Sequence, residues 1–170
     1  MGQQGNEGAL LLMADDTAAT AASFEGVYEA ELPAISRLAF LLTRSREVAE
    51  ELAHDAFVKL YEHYDTVERP AGWLRTAVVR LAINWQRRQA VERRRLARGP
   101  DPSAPLGEPE LDETWEALGR LRPERQTVLV LRFYEDLSPR EIALLLGCPT
   151  ATVRSRTKRA LNDLRREVTR

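Results

Sequence analysis

Apolar residues recur with the spacing of an α-helix from Phe24 onward, and no segment shows the alternation typical of a β-strand. One broad apolar face runs through residues 47–64, and a second follows residues 73–88. Pro70 suits the first turn of the second helix, whereas Pro33 marks a kink or a start in the helix before residue 47. The first face consists of Val48, Leu52, Ala56, Leu60 and Tyr64, and the second of Leu74, Ala77, Val78, Leu81 and Trp85. The pattern therefore predicts an all-α protein.

Composition divides the chain into two small helical domains. Residues 1–22 are small, polar and rich in alanine and glycine, and they form a predicted disordered tail. The segment 99–110 holds four prolines and two glycines but almost no core residues, which is typical of a flexible linker. We therefore predict one helical domain over residues 23–98 and another over residues 111–170. Because of the linker, we expect the two domains to be spatially independent in solution.

The second domain carries the pattern of a helix-turn-helix motif. A predicted helix over residues 123–134 begins at a proline, and Ser138 with Glu141 forms a predicted capping box at the start of the next helix. Gly147 can adopt the left-handed conformation that ends this helix, and Thr150 is placed to cap the following one. Two helices joined by a short turn with glycine predict that the second helix enters a DNA major groove.

The helix after Gly147 has one apolar face and one basic face. The predicted buried stripe consists of Val153, Thr157, Ala160, Leu161 and Leu164. The candidate DNA-binding residues are Thr152, Arg154, Ser155, Arg156, Lys158 and Arg159. A solvated basic helix in a bundle would carry the same charges and is the alternative interpretation. DNA binding is favoured because the cap, the glycine and the basic helix occur together.

Charged residues are distributed in blocks, although the net charge is only −1. Ten acids and four bases lie in residues 24–68, and six acids and no base lie in residues 99–116. Nine bases and one acid lie in residues 69–98, and twelve bases and six acids lie in residues 117–170. Two basic blocks indicate two contacts with a polyanion, and the acidic blocks indicate a contact with a basic partner. Solvated helix faces are the alternative interpretation.

The residue content argues against several classes of protein. The apolar stretches are far shorter than the ~20 residues that span a bilayer, and the apolar run 9–14 lacks a basic segment before it, so we expect neither membrane insertion nor export. Cys148 is the only cysteine, which excludes an intramolecular disulfide and fits the cytoplasm. His54 and His63 lack the spacing and the partners of metal ligands. Without a phosphate-binding loop or a nucleophile–base pair, we expect no cofactor and no enzymatic activity.

Four segments resemble the extracytoplasmic-function sigma factors of the sigma-70 family. Residues 137–156 (LSPREIALLLGCPTATVRSR) resemble region 4, and residues 121–134 (LRPERQTVLVLRFY) resemble the helix that precedes it. Residues 49–57 (AEELAHDAF) resemble region 2.2, and residues 73–88 resemble regions 2.3 and 2.4. The segments occur in the order of the family, and the pattern is most similar to the actinobacterial SigE-like group.

The resemblance implies a role for each block of charge. In the family, the first domain binds the clamp of core RNA polymerase and the promoter −10 element, while the second binds the polymerase flap and the −35 element. The resemblance assigns Glu51, His54 and Asp55 to the clamp contact. It assigns Trp73, Thr76, Arg80, Asn84, Arg87 and Arg88 to the −10 element. The loop 64–70 resembles the family loop that captures a flipped −10 base, and Trp73 is also a candidate core residue.

Two positions depart from the family pattern. The family commonly has Asn where this chain has Arg80, and Gln where it has His54. An arginine offers hydrogen-bond donors only, so Arg80 changes the base contact that is expected at the −10 element. Family behaviour also implies that an anti-sigma factor is a possible partner.

Two other classes of protein fit parts of the pattern. A stand-alone helix-turn-helix regulator would bind specific DNA tightly without polymerase, and its first domain would dimerise or bind a ligand. A helical adaptor that binds only protein would have no salt-dependent affinity for DNA. The sigma-factor interpretation predicts weak promoter binding by the chain alone and promoter-directed transcription once core polymerase is added.

Overall fold

The computed structural model describes residues 23–95 and 113–169, and all regular structure within these ranges is helical. Seven α-helices follow one another in this part of the chain, and a π-helical turn, Val130–Tyr134, extends the fifth. They are α1 Phe24–Thr43, α2 Arg46–His63, α3 Pro70–Arg95, α4 Glu113–Gly119, α5 Pro123–Leu129, α6 Pro139–Leu146 and α7 Thr150–Val168. The all-α prediction is confirmed. The predicted tail 1–22 and the predicted linker 99–110 lie outside the described residues.

Helices α1, α2 and α3 pack against one another and form the first domain. The side chains of Ser23 and Ser45 accept hydrogen bonds from the backbone N–H groups of Gly26 and Val48, and so cap α1 and α2. Pro33 lies on the exposed side within α1, so it neither starts nor ends the helix. Helix α3 begins at Pro70, as predicted, because a proline in the first turn gives up no helical hydrogen bond.

The core of the first domain comes from the apolar faces that the sequence pattern predicts. Leu52, Ala56 and Leu60 of α2 are at most 3% exposed, and Leu74 and Val78 of α3 are fully buried. The remaining members of the two faces, including Val48, Tyr64 and Trp85, are half-buried and pack against this core.

The second domain contains the predicted helix-turn-helix. Ser138 Oγ accepts from the N–H of Glu141 at 3.3 Å, and Glu141 Oε2 accepts from the N–H of Ser138 at 2.6 Å, so the capping box is confirmed. Gly147 ends α6 with φ 63°, also as predicted. Thr150 does not cap α7: it is the first helical residue, and Pro149 holds the cap position without a side-chain hydrogen bond. The turn between the two helices, residues 147–149, is short and contains the glycine, as predicted.

Helix α7 buries the predicted stripe to different depths. Val153 and Ala160 are fully buried, whereas Thr157, Leu161 and Leu164 are half-buried. The hydroxyl of Thr157 donates to the carbonyl of Val153 at 2.9 Å, which satisfies it within the helix.

The two domains pack directly against each other, so the prediction that they are spatially independent is wrong for this conformation. Gln126 on α5 is 4% exposed and donates a hydrogen bond from Nε2 to the carbonyl of Leu41 on α1 at 2.7 Å. Buried residues of α1–α3 also belong to the same apolar cluster as Val130, Leu131 and Ile142 of the second domain. Linker composition could not reveal this contact, because the contact depends on surfaces far from the linker.

Candidate nucleic-acid interface

The predicted DNA-binding residues of α7 lie on its accessible side. Arg154, Lys158 and Arg159 are exposed, and Thr152, Ser155 and Arg156 are half-buried. The capping box begins α6, Gly147 ends it, and the buried Val153 anchors α7 on the core. The helix thus presents its basic face near its N-terminus, where helix-turn-helix proteins contact base edges.

An open groove of about 370 Å³ lies along α7 and extends the basic surface. Arg154 and Lys158 line it together with two cations that sequence reasoning missed, Arg132 and Arg165. Arg132 donates from Nη1 to the carbonyl of Leu137 at 3.3 Å and lies 3.5 Å from a carboxylate oxygen of Asp136. Arg132 comes from the π-helical turn, so no spacing within α7 could have indicated it. Arg165 was detectable, because it follows Lys158 by seven residues on the same helix.

Helix α3 presents most of the basic residues that were predicted to contact the −10 element. Asn84, Arg87 and Arg88 are exposed, and Arg80 is half-buried. These four side chains can approach a polyanion along one side of the helix.

Two members of the predicted −10 set are less accessible. Thr76 is 1% exposed, so its prediction as a DNA contact is not supported in this conformation. The sequence places Thr76 on the same stripe as Arg80, but α3 is packed over more of its circumference than one apolar stripe implies. Trp73 is half-buried and packs against the core, in agreement with its alternative role as a core residue.

The acidic face of α2 is fully available to a partner. Glu51, His54 and Asp55 are all exposed, on the side opposite the buried Leu52 and Ala56. Their proximity on one helix face creates a negative surface.

The described residues give no indication of a metal site or a membrane span. No group of three or more His, Cys, Asp or Glu side chains within residues 23–95 and 113–169 could hold a metal ion. In the same ranges, none of the helices is sufficiently long and apolar for a transmembrane segment.

Family models and curated relatives agree with this arrangement of two helical domains. The model described as Sigma-70 region 2 matches residues 27–92, and the model described as Sigma-70, region 4 matches residues 111–164. The RNA polymerase sigma factor SigV of Bacillus subtilis is 31% identical over 144 residues, which cover 79% of this chain and 84% of that protein. The chain belongs to the sigma-70 family. Both regions occur in the order that the sequence resemblance indicated.

Other relatives place the chain among the extracytoplasmic-function sigma factors. The RNA polymerase sigma-E factor of Streptomyces avermitilis is 30% identical, over 85% of this chain and 84% of its own length. The ECF RNA polymerase sigma factor SigE of Mycolicibacterium smegmatis is 27% identical, over 77% of this chain and 56% of its own length. The chain is about as identical in sequence to SigV as it is to the sigma-E factors. The comparisons therefore support the resemblance to the SigE-like group only loosely.

A solved structure shares the fold. The sigma factor RpoE of Bartonella quintana, in complex with the anti-sigma factor NepR, superposes with a TM-score of 0.67. The superposition covers 86% of this chain and 96% of that one at 24% sequence identity. This likeness shows the fold alone. The family models and the curated relatives show that the chain is an alternative sigma factor, which directs promoter recognition and transcription initiation.

Proposed function

We propose that α7 reads the promoter −35 element and that α3, with the loop before it, binds the −10 element. The observation that carries this proposal is the exposed basic surface of α7. This helix is the second helix of a helix-turn-helix motif whose first helix is capped, in a member of the sigma-70 family. Arg154, Ser155 and Lys158 are the proposed base-reading residues, because they lie toward the N-terminus of the helix. The guanidinium of Arg154 has the bidentate geometry that suits guanine.

The backbone of the DNA has its own proposed contacts around α7. Arg156 and Arg159 flank the reading residues, and Arg132 and Arg165 line the adjoining groove. These cations would neutralise phosphates, which raises affinity for every sequence and makes binding sensitive to salt. Thr152 completes the set as a neutral donor at the start of the helix.

On α3, the proposed −10 contacts are Arg80, Asn84, Arg87 and Arg88. The side chains are exposed or half-buried, and the three arginines can hold the phosphates of an opened strand. The loop 64–70, which begins in a short 3₁₀ helix and leads into α3, is the proposed site for a flipped base. Trp73 lies just after this loop, where its half-buried ring can contribute one stacking surface.

Core RNA polymerase is the proposed partner of the acidic face of α2. Glu51, His54 and Asp55 present negative charge that complements a basic surface on the polymerase clamp. The second domain is proposed to bind the polymerase flap. An anti-sigma factor is a further proposed partner, since the similar RpoE was solved with NepR bound.

The protein is proposed to work in the cytoplasm as a specificity subunit without an active site of its own. The chemistry of RNA synthesis then belongs entirely to the core enzyme. Support for this assignment comes from membership of the sigma-70 family.

A run-off transcription assay tests the proposed function. Purified bacterial core RNA polymerase is combined with the full chain and with templates randomised at the −35 and −10 elements. We expect defined transcripts only when both proteins are present, and weak template binding by the chain alone. Tight sequence-specific binding without polymerase would indicate a stand-alone regulator. Absence of salt-dependent DNA binding in every combination would indicate a protein adaptor.

A further inference from the structure

Asp136 lies between the π-helical turn and α6, in a backbone conformation that glycine adopts most easily. Its φ is 51°, in the left-handed region, where an L-residue is strained, although Asp and Asn tolerate it better than other residues do. The side chain is 97% exposed, so no packing offsets this strain. Within the described part of the chain, its carboxylate has one ionic partner: Oδ1 lies 3.5 Å from Nη1 of Arg132.

This ion pair is too weak to explain an aspartate at position 136. A separation of 3.5 Å is longer than a charge-assisted hydrogen bond. Exposed ion pairs add little to stability, because water and salt screen them and two side chains lose freedom when they form. Glycine at the same position would avoid the backbone strain altogether. The stability of the turn therefore gives no reason for the carboxylate, and its effect on Arg132 is what remains.

Arg132 is held by its own turn at the groove along α7. Its Nη1 donates to the carbonyl of Leu137 at 3.3 Å, and its guanidinium carbon lies 5.7 Å from the ring centroid of Phe133. The side chain also lines the groove. Both polar contacts use Nη1, so Nε and Nη2 remain available to another anion within the part of the chain that the structure describes. The guanidinium is thus positioned at the groove and can still bind a ligand.

Arg132 differs from the other three cations that line this groove. Arg154, Lys158 and Arg165 form no ion pair with any described residue, whereas Arg132 has the carboxylate of Asp136 beside it. The acid therefore reduces the positive charge at one place in the groove and leaves the other three cations unpaired. Positive charge is what binding to a polyanion depends on.

A DNA phosphate and Asp136 would compete for the same guanidinium. If the ion pair stayed intact, the phosphate would lie next to a carboxylate, and like charges repel. If the ion pair separated instead, its own attraction would be lost, and the exposed carboxylate would turn into the solvent. In both cases a phosphate gains less from Arg132 than it would gain from an arginine without a carboxylate partner.

We propose that Asp136 limits the affinity of the second domain for DNA of every sequence, by competing with phosphate for Arg132. The proposal rests on the proposed function, because it needs the groove beside α7 to hold the DNA backbone. A backbone contact carries no sequence information, so the effect is the same on every −35 sequence. The lower sequence-independent affinity keeps the chain from being held on DNA before polymerase adds its own contacts.

The central variant of the test is Asp136→Asn in the full chain. Asparagine has the shape of aspartate and tolerates the left-handed region, so the variant removes the charge and keeps the backbone. Arg132→Gln removes the proposed phosphate contact, and the double variant shows whether the effect of Asp136 passes through Arg132. The matched control is Glu124→Gln, which removes one negative charge from an exposed residue of the second domain that does not line the groove.

Fluorescence anisotropy of labelled duplexes gives the affinity of each variant over a series of salt concentrations, and circular dichroism confirms its helix content. One duplex carries a −35 element selected by the holoenzyme, and the other carries the same bases in scrambled order. We expect Asp136→Asn to bind both duplexes about two- to fivefold more tightly, the factor that an exposed ion pair supplies. The slope of log affinity against log salt should steepen by up to about one phosphate contact.

The other variants separate competition for Arg132 from a general effect of charge. Exposed charges more than about 10 Å apart are largely screened at 0.1 M salt, so Glu124→Gln should change the affinity by less than Asp136→Asn does. Arg132→Gln should weaken binding to both duplexes. Adding Asp136→Asn to Arg132→Gln should change the affinity no more than the control does, because no guanidinium is left to compete for.

Three results overturn the proposal while DNA binding itself persists. The first is an unchanged affinity in Asp136→Asn at unchanged helix content. The second is an equal gain with and without Arg132→Gln, since the carboxylate would then repel DNA directly. The third is a gain confined to the −35 duplex, which would mean that Asp136 affects base reading. Failure of the wild-type chain to bind DNA at any salt concentration, alone or with core polymerase, would instead refute the proposed function and with it the role of Asp136.

Discussion

Replacing Gly147 with alanine tests how the turn of the helix-turn-helix is stabilised. Gly147 has φ 63°, and a Cβ placed on it would meet no atom within 4 Å. The entire cost of Gly147→Ala is therefore backbone strain, which is ~1–2 kcal/mol for an L-residue in the left-handed region. Alanine also loses less entropy on folding, which returns roughly 0.4–1 kcal/mol. We expect a net destabilisation of about 1 kcal/mol, equivalent to a fall in Tm of roughly 2–8 °C.

The same substitution at Gly26 is the matched control, because it should have the opposite sign. Gly26 lies in the first turn of α1, and a Cβ there would make only an ordinary contact of 3.6 Å with Ser23 Oγ. Gly26→Ala should therefore stabilise the protein by up to about 1 kcal/mol. Thermal unfolding followed by circular dichroism measures both variants. The reasoning is refuted if Gly147→Ala raises Tm, or if the two variants shift it in the same direction.

Three further predictions concern the proposed contacts and the motif that supports them. Asp55→Lys should abolish co-purification with core polymerase while leaving stability within ~0.5 kcal/mol, and Glu29→Lys, at another exposed acidic residue, should have no such effect. If both variants still co-purify with core polymerase, the acidic face of α2 is not the contact. Arg154→Ala should flatten base preference at one or two −35 positions. Arg166 is exposed near the C-terminal end of α7, where the helix more often meets the DNA backbone, so Arg166→Ala should weaken all promoters alike and reduce the salt slope by about one contact. Binding of the holoenzyme to a −35 substitution series at two salt concentrations separates the two effects. Ser138→Ala should lower the free energy of unfolding by ~1 kcal/mol in chemical denaturation, and no change would mean that the capping box contributes little.

Local structure could be read from the sequence wherever neighbouring residues determine it. The capping box at Ser138, the glycine at position 147 and the proline at the start of α3 are all governed by backbone chemistry within a few residues. The apolar stripes were equally readable, because a helix that buries one face must repeat apolar residues with its own period. Thr150 is the exception, since a residue type that caps helices here begins one, directly after Pro149.

The parts that could not be read depend on contacts between distant residues. Gln126 looks like a surface residue in the sequence, yet its partner Leu41 is 85 positions away. Thr76 shares a helix stripe with Arg80, but the packing around α3, and not its own periodicity, decides that it is buried. Arg132 joins the basic groove only because the chain turns back between the π-helical turn and α7. Each case needs the tertiary fold, about which helical periodicity carries no information.

The interdomain interface combines apolar burial with specific polar contacts. Val130, Leu131 and Ile142 share one apolar cluster with α1–α3, and separating them would cost about 25 cal/mol for each Å² of apolar surface that becomes exposed. Here several of the specific contacts are hydrogen bonds and ion pairs, which water can replace when the domains part, so their net contribution is only ~0.5–1.5 kcal/mol each. While the domains stay together the same groups impose a strict geometry, because Gln126 and Thr127 tolerate no unpaired position in a buried site. Apolar burial therefore supplies most of the stabilisation between the domains, whereas the polar contacts select one relative position.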